Sequence, residues 1–109
     1  MLVRTDLNPE QIIVQASHAC FDAGRFFMPS LPGEDANGRT HPNFVLIGVP
    51  DEETLLQEAM KIMAFGVDAR IFVEPDLDGQ STALATEPIS GDQRRFFRKY
   101  RLLKMKGQS

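Results

Sequence analysis

The sequence feature that constrains this fold most is a short apolar segment leading directly into a well-marked helix start. Residues 2–7 include three large apolar side chains and suit a short strand. Asn8 has the side chain of a helix N-cap, Pro9 fits the first helical position, and Gln11 stands where a capping box closes. A helix is therefore predicted to begin at Pro9, immediately after the strand.

This first helix has one polar stripe and one broad apolar face. At 100° per residue, a narrow stripe contains four polar residues, Gln11, Gln15, His18 and Asp22. An opposite arc of about 140° is apolar and contains Ile12, Ile13, Ala16, Ala19, Cys20, Ala23, Phe26 and Phe27. We expect the apolar face to pack on a sheet. The polar stripe fits either a functional cleft or an ordinary hydrated helix surface, with Gln11 serving only the cap.

Length and composition indicate one globular domain covering residues 1–109. The chain is 42% hydrophobic and 25% charged, as in ordinary globular proteins, and 109 residues are enough for one core. No apolar run approaches the roughly 20 residues of a membrane span, and the first residues resemble a strand, not a signal peptide. With Cys20 as the single cysteine, we expect a cytoplasmic protein without an internal disulfide or a membrane partner.

The remaining elements complete an α/β pattern. Further strands are predicted at residues 43–49, 69–73 and 81–86. The first of these is an unbroken apolar run, which predicts a central strand buried on both faces. Asp51 caps a second helix that ends at Gly66, and Ser90 caps a long last helix. The order predicts a single-domain α/β fold with a four-stranded mixed sheet and helices on both faces.

Two connections have functional interest. Residues 28–42 are rich in proline and glycine, which predicts a long loop that could flank a site or bind a partner. Its His41 has no companion at metal-ligand spacing, so no metal site is predicted. Residues 74–80 include Glu74 and Asp76 at the end of a strand, where ligands often bind. Turn formation explains this acidic segment equally well.

Basic residues are concentrated near the C-terminus. Residues 92–109 have a net charge of +6, whereas the other 91 residues carry −9. The basic side chains are Arg94, Arg95, Arg98, Lys99, Arg101, Lys104 and Lys106. Such a segment is a candidate contact for a nucleic-acid backbone, although a solvated helix face gives the same pattern.

Three segments resemble a known family in order and spacing. They are residues 3–7 (Val-Arg-Thr-Asp-Leu), 15–19 (Gln-Ala-Ser-His-Ala) and 50–55 (Pro-Asp-Glu-Glu-Thr-Leu). They resemble the type II peptidyl-tRNA hydrolase family. Residues 74–85 and 97–104 are closer to its divergent branch, the peptidyl-tRNA hydrolase domain-containing proteins.

The resemblance implies a function and a set of site residues. The family hydrolyses the ester between a peptide and the 3′ end of tRNA, which would make tRNA the partner and require no cofactor. His18 would shuttle protons, Thr82 would lie near the reacting centre, and Glu74 or Asp76 would stand in the place of the catalytic aspartate. The substrate-binding residues would be Gln11, Gln15, Arg94, Arg95, Arg98 and Lys99. A homodimer is compatible with the predicted last helix and sheet edge.

The chain also departs from the family pattern. Gln11 stands where the family usually has lysine, the segment before Thr82 is shorter, and a second family threonine has no counterpart. These differences leave two functions open. The domain either cuts peptidyl-tRNA with a modified site or is a catalytically inactive module that binds tRNA or another RNA.

Overall fold

The computed structural model of this chain describes residues 1–27, 44–89 and 91–104. The elements, in chain order, are strand β1 (Leu2–Arg4), helix α1 (Pro9–Phe27), strand β2 (Ile47–Val49), helix α2 (Glu52–Ala64), strand β3 (Ala69–Glu74), a 3-10 turn (Pro75–Leu77), strand β4 (Gln80–Thr86), a second 3-10 turn (Gly91–Gln93) and helix α3 (Arg94–Phe97). This order confirms the predicted α/β fold. No helix within the described residues has the length and hydropathy needed to cross a membrane.

The four strands form one mixed sheet in the order β2, β1, β4, β3. β1 pairs parallel with β2 and antiparallel with β4, and β3 pairs antiparallel with β4. Side chains of α1 and α2 pack on opposite faces of this sheet. The predicted mixed sheet with helices on both faces is therefore confirmed.

Each face of the sheet has its own apolar core. The core on the α2 side contains Leu2, Ile47, Val49, Leu55, Ala59, Ile62, Val67 and Leu84. The core on the α1 side contains Val3, Ile12, Ala16, Ala19, Ala23, Phe27, Ala83 and Ala85. Because side chains alternate along a strand, neighbouring β1 residues belong to different cores.

The predicted start of α1 and both predicted ends of α2 are confirmed. The backbone N–H of Gln11 donates to Asn8 Oδ1 at 2.8 Å, and that of Asn8 donates to Gln11 Oε1 at 3.1 Å, so the capping box closes. Asp51 Oδ1 accepts from the Thr54 N–H at 2.8 Å at the start of α2. After α2 ends, Gly66 adopts a φ of +95°, which a residue with a Cβ rarely takes.

The prediction of a central strand at residues 43–49 is wrong. Of the described residues 44–49, only Ile47–Val49 form the strand, and β2 lies at one edge of the sheet. The C-terminal residues cover that edge: the Leu103 N–H donates to the Leu46 carbonyl at 2.8 Å, and Leu102 pairs with Ile47. The apolar run did not indicate burial on both faces either, because Phe44 and Val45 are 63% and 51% exposed.

The prediction of a long last helix is also wrong. α3 has only four residues, and the expected cap, Ser90, lies outside the described residues, as does the loop predicted at 28–42. Phe96, Phe97 and Tyr100 pack on the α2-side core, and the chain then leaves the helix to reach the β2 edge. Tertiary contacts of the C-terminal residues therefore override the helical pattern.

Candidate functional site

A bulge in β4 determines which way Thr82 faces. Phe72 of β3 pairs with Ala83, but the next residue, Val73, pairs with Ser81, so Thr82 is an extra residue in β4. With regular alternation Thr82 would share the α2 side with Leu84. Its hydroxyl instead hydrogen-bonds to a residue of α1. The bulge thus directs a polar side chain towards the predicted polar stripe.

Three buried side chains form a continuous hydrogen-bonded set, which we call the Gln15 network. Thr82 Oγ1 donates to Gln15 Oε1 at 2.6 Å, and Gln15 Nε2 donates to Glu74 Oε2 at 3.1 Å. The exposed fractions are 0% for Thr82, 4% for Gln15 and 8% for Glu74. Because these groups are removed from water, each hydrogen bond is stronger and each loss is more costly than at the surface.

The network fixes the orientation of every member. The Gln15 carbonyl accepts the Thr82 hydroxyl hydrogen, which fixes the rotation of that hydroxyl and leaves the Gln15 NH2 group to face Glu74. The other Glu74 oxygen, Oε1, accepts from the Asp76 backbone N–H at 3.2 Å. The Gln15 amide is therefore held between a hydroxyl on one side and a carboxylate on the other.

His18 lies beside the Gln15 network. It is one turn further along α1, and its ring stacks on Phe72 with a centroid distance of 4.7 Å and an interplanar angle of 11°. Phe72 is two residues before Glu74 in β3. His18 is exposed, and its ring nitrogens make no hydrogen bond within the described residues. Stacking therefore orients the imidazole while its nitrogens stay accessible.

The structure separates the two acidic candidates. The Glu74 carboxylate belongs to the Gln15 network, whereas Asp76 is exposed and contributes its backbone N–H to that carboxylate. Gln11 is half-buried, and its side-chain oxygen is engaged in the capping box. Of the predicted catalytic residues, His18, Glu74 and Thr82 therefore gather in one region, and Asp76 supports it through its backbone.

The basic residues lie elsewhere. Arg94, Arg95, Arg98 and Lys99 are all exposed, and we call them the basic segment. Phe96, within this stretch, packs on the α2-side core, and Lys99 Nζ lies 4.2 Å from its ring centroid. Lys99 Nζ also lies 3.8 Å from a Glu58 carboxylate oxygen. The basic segment is therefore on the opposite face of the sheet from the Gln15 network.

Sequence reasoning missed a buried arginine next to this region. Arg4, 7% exposed, donates from Nε and Nη2 to the two Asp6 carboxylate oxygens at 2.9 and 2.8 Å. Hydrogen bonding to Asp6 raises the pKa of Arg4 above its ordinary value. Arg4 Nη1 also donates to Gln80 Oε1 at 2.8 Å and to the Ser81 carbonyl at 3.2 Å. The sequence signal for this residue was an arginine within a short apolar strand. Such a guanidinium is expected to be buried, and a buried guanidinium needs several acceptors.

The candidate site offers no obvious metal centre. Among residues 1–27, 44–89 and 91–104, no three His, Cys, Asp or Glu side chains come together in a group that could hold a metal ion. The acceptors of the Gln15 network are engaged with protein donors. The site therefore consists of the buried Gln15 network and the accessible His18 imidazole beside it.

Comparisons with known proteins add no family assignment. No protein-family model and no curated protein matches this chain. The candidate site is therefore supported by its geometry and by the resemblance of the three sequence segments.

Proposed function

We propose that this domain hydrolyses the ester bond of peptidyl-tRNA or of a related acylated tRNA. The observation that carries the proposal is the buried Gln15 network with the accessible His18 imidazole one helical turn away. The network unites the threonine and an acid to which the family resemblance assigns site roles, and His18 lies beside them. An exposed basic segment is available for the phosphates of the RNA.

Each member has a role in the proposed reaction. An imidazole exchanges protons near neutral pH, so His18 takes a proton from the attacking water and returns one to the ribose oxygen that leaves. The water oxygen bonds to the ester carbon as the bond to the ribose oxygen breaks. Thr82 is 0% exposed and acts from behind the reacting water, because its hydroxyl holds the Gln15 carbonyl. Glu74 fixes the Gln15 amide.

A second function is favoured by the environment of Gln11. The family lysine is replaced here by a neutral side chain whose oxygen is used in the helix cap. A positive charge that would meet phosphate or the reacting ester is therefore absent at this position. A catalytically inactive tRNA- or RNA-binding module predicts salt-sensitive affinity through the basic segment without turnover.

Release of peptide from labelled peptidyl-tRNA separates these functions. We expect wild-type protein to release peptide, and His18→Ala to lower kcat by about 10²–10⁴-fold, the usual contribution of a general acid–base. Ser17→Ala is the matched control. Ser17 is the exposed neighbour on α1, and its hydroxyl donates to the Ile13 carbonyl of the same helix at 2.7 Å.

The outcomes are distinct. Equal background release by wild type and His18→Ala, with salt-sensitive RNA binding in both, would support the binding module and reject the hydrolase. Absence of RNA binding at low salt would reject both functions and favour binding of a different partner. A loss of activity in Ser17→Ala as large as in His18→Ala would remove the specific role of His18.

The proposal carries two further expectations. A tRNA-directed function places the domain in the cytoplasm.

Within the described part of the chain, no strand pairs with the outer edge of β3, and this edge offers a surface for a homodimer. Sedimentation of the purified protein would measure the oligomeric state. A monomer at all concentrations would contradict the dimer.

A further inference from the structure

Two side chains from outside β4 bind the backbone immediately before Thr82. Glu52 Oε2, in the first turn of α2, accepts from the Ser81 N–H at 2.6 Å. Arg4 Nη1, from β1, donates to the Ser81 carbonyl at 3.2 Å. The backbone N–H and the carbonyl of Ser81 are therefore both hydrogen-bonded to charged side chains.

These contacts lie where regular strand pairing stops. The last β1–β4 pair is Val3 with Ala83, so the ladder between these strands does not reach Ser81. Unpaired backbone groups in a protected position are costly. Arg4 and Glu52 replace the missing ladder partners at the residue that precedes the bulge.

Arg4 is itself held firmly. Its guanidinium makes a two-bond contact with Asp6 and a third hydrogen bond with Gln80, and only 9% of its side chain is exposed. A planar donor fork of this kind has little freedom to turn. The start of β4 is thereby fixed to β1 at both Gln80 and Ser81.

The alternative arrangement has a definite cost for the site. If β4 lost its bulge and paired regularly, the alternation of side chains would turn Thr82 towards the α2 side, away from Gln15. The contacts to Ser81 favour the bulged register, because they depend on the position of that peptide.

We propose that Arg4 and Glu52 are positioning residues that hold the β4 bulge so that Thr82 faces Gln15. Neither needs to touch substrate. The catalytic consequence rests on the proposed function, whereas the geometric consequence does not. The two parts call for separate measurements.

The geometric part is tested by hydrogen exchange of the Gln15 side-chain amide, followed by NMR. In wild type this amide is buried and donates to Glu74. We expect Arg4→Gln and Glu52→Ala to speed its exchange by about fivefold to tenfold, because the bulge loses a hydrogen bond that orders the network. Arg4→Lys, with one donor group instead of a fork, should give an intermediate rate.

Matched variants separate positioning from general destabilisation. Glu52→Gln keeps a side-chain oxygen that accepts from the Ser81 N–H, so it should restore the wild-type exchange rate. Arg70→Gln removes a β3 arginine that pairs with Asp22 at 3.7 Å and lies 4.4 Å from the Phe26 ring centroid, both in α1, so it should leave the rate unchanged. Backbone amide spectra would verify that each variant is folded.

Kinetics test the catalytic part. We expect folded Arg4→Lys and Glu52→Ala to lower kcat with little change in KM, and to add little in a Thr82→Val background because they act through Thr82. Wild-type Gln15 exchange in folded Arg4→Lys and Glu52→Ala would overturn the positioning role, even if Arg4→Gln failed to fold. If wild-type protein shows no hydrolase activity but both variants exchange the Gln15 amide faster, the proposed function is rejected and the positioning role is retained.

Discussion

The two faces of the sheet differ in whether their polar side chains are buried or exposed. On the α1 side, Gln15, Glu74 and Thr82 are buried, mutually hydrogen-bonded and fixed by a bulge. On the α2 side, the basic segment is exposed. It lies in and directly after the short helix α3, which aromatic side chains hold to the domain.

This difference matches two different physical tasks. A buried network fixes the orientation of its side chains, because alternative orientations leave polar groups without partners. Exposed charges act at longer range and tolerate variation, but salt screens them. Chemistry therefore suits the α1 side, whereas contact with an RNA backbone suits the α2 side.

Among the changes that compare the two faces, the largest expected effect concerns RNA binding. Replacing Arg94, Arg95 and Arg98 together with glutamine should weaken tRNA affinity about a hundredfold at 0.15 M salt and reduce the salt slope by about 3, because each lost phosphate contact removes about one released counterion. Salt-dependent binding titrations would measure both quantities. The free energy of unfolding should change by less than about 0.5 kcal/mol per site, since the three side chains are exposed.

A charge-matched control sharpens this result. Arg25, Lys61 and Arg70 are exposed residues outside the basic segment, and replacing them with glutamine changes the net charge by the same amount. We expect a much smaller loss of affinity in this triple variant. An equal loss would show that overall charge, and not the position of the basic segment, governs binding.

The next effect concerns stability on the α1 side. Thr82→Val removes the donor to Gln15 Oε1 and keeps the shape of the side chain, so it should lower the free energy of unfolding by about 1–3 kcal/mol by leaving a buried acceptor unpaired. Denaturant unfolding would measure this change. Thr86→Val in the same strand is the control, because Thr86 is only partly buried. Equal stability of Thr82→Val and wild type would contradict the importance of the network.

A smaller effect is expected from the aromatic contact that orients His18. Phe72→Leu removes the stacked ring and should cost about 0.5–1.5 kcal/mol of stability, within the range of aromatic pairs. Peptide release should fall through kcat because the imidazole is less well oriented. Phe96→Leu, which alters the aromatic contacts on the α2 side, should leave kcat at saturating substrate unchanged. The opposite pattern would reverse the functional assignment of the faces.

The smallest effect concerns the exposed cap of α2. The hydrogen bond from the Thr54 N–H lowers the pKa of Asp51 below its ordinary value. Because the folded-state pKa is depressed, its stabilisation is present above the unfolded-state value and is lost as pH falls through the folded-state value. Denaturant unfolding of wild type and Asp51→Asn should show a stability difference near pH 7 that diminishes below about pH 4. A pH-independent difference would contradict a contribution from the charge.

Much of the local structure was predictable because its signals lie within a few residues. Asn8, Pro9 and Gln11 together specify the start of α1, and Asp51 specifies the start of α2. The apolar periodicity identified the buried side of α1 less precisely. Ile13 lies within the predicted arc but is 56% exposed, whereas Gln15 of the polar stripe is 4% exposed, so the buried face is turned towards the stripe. Phe26 is 54% exposed near the end of the helix, where the Arg70 guanidinium lies over its ring.

The candidate site was only partly predictable for the same reason. Gln15 and His18 share a stripe that helical geometry reveals, and the resemblance pointed to Thr82 and an acid. The choice between Glu74 and Asp76 depended on which side chain the end of β3 turns inward. That direction follows from strand pairing, which a local pattern does not encode.

By itself, the sequence determined the element types, the helix caps and the α/β class, because capping, propensity and hydrophobic period act between near neighbours. Only the tertiary structure decided that β2 lies at an edge, that α3 is short and that the β4 bulge turns Thr82 towards Gln15. These features depend on partners far apart in the chain, such as Arg4 and Ser81, which are 77 positions apart. Folding alone brings such groups into contact.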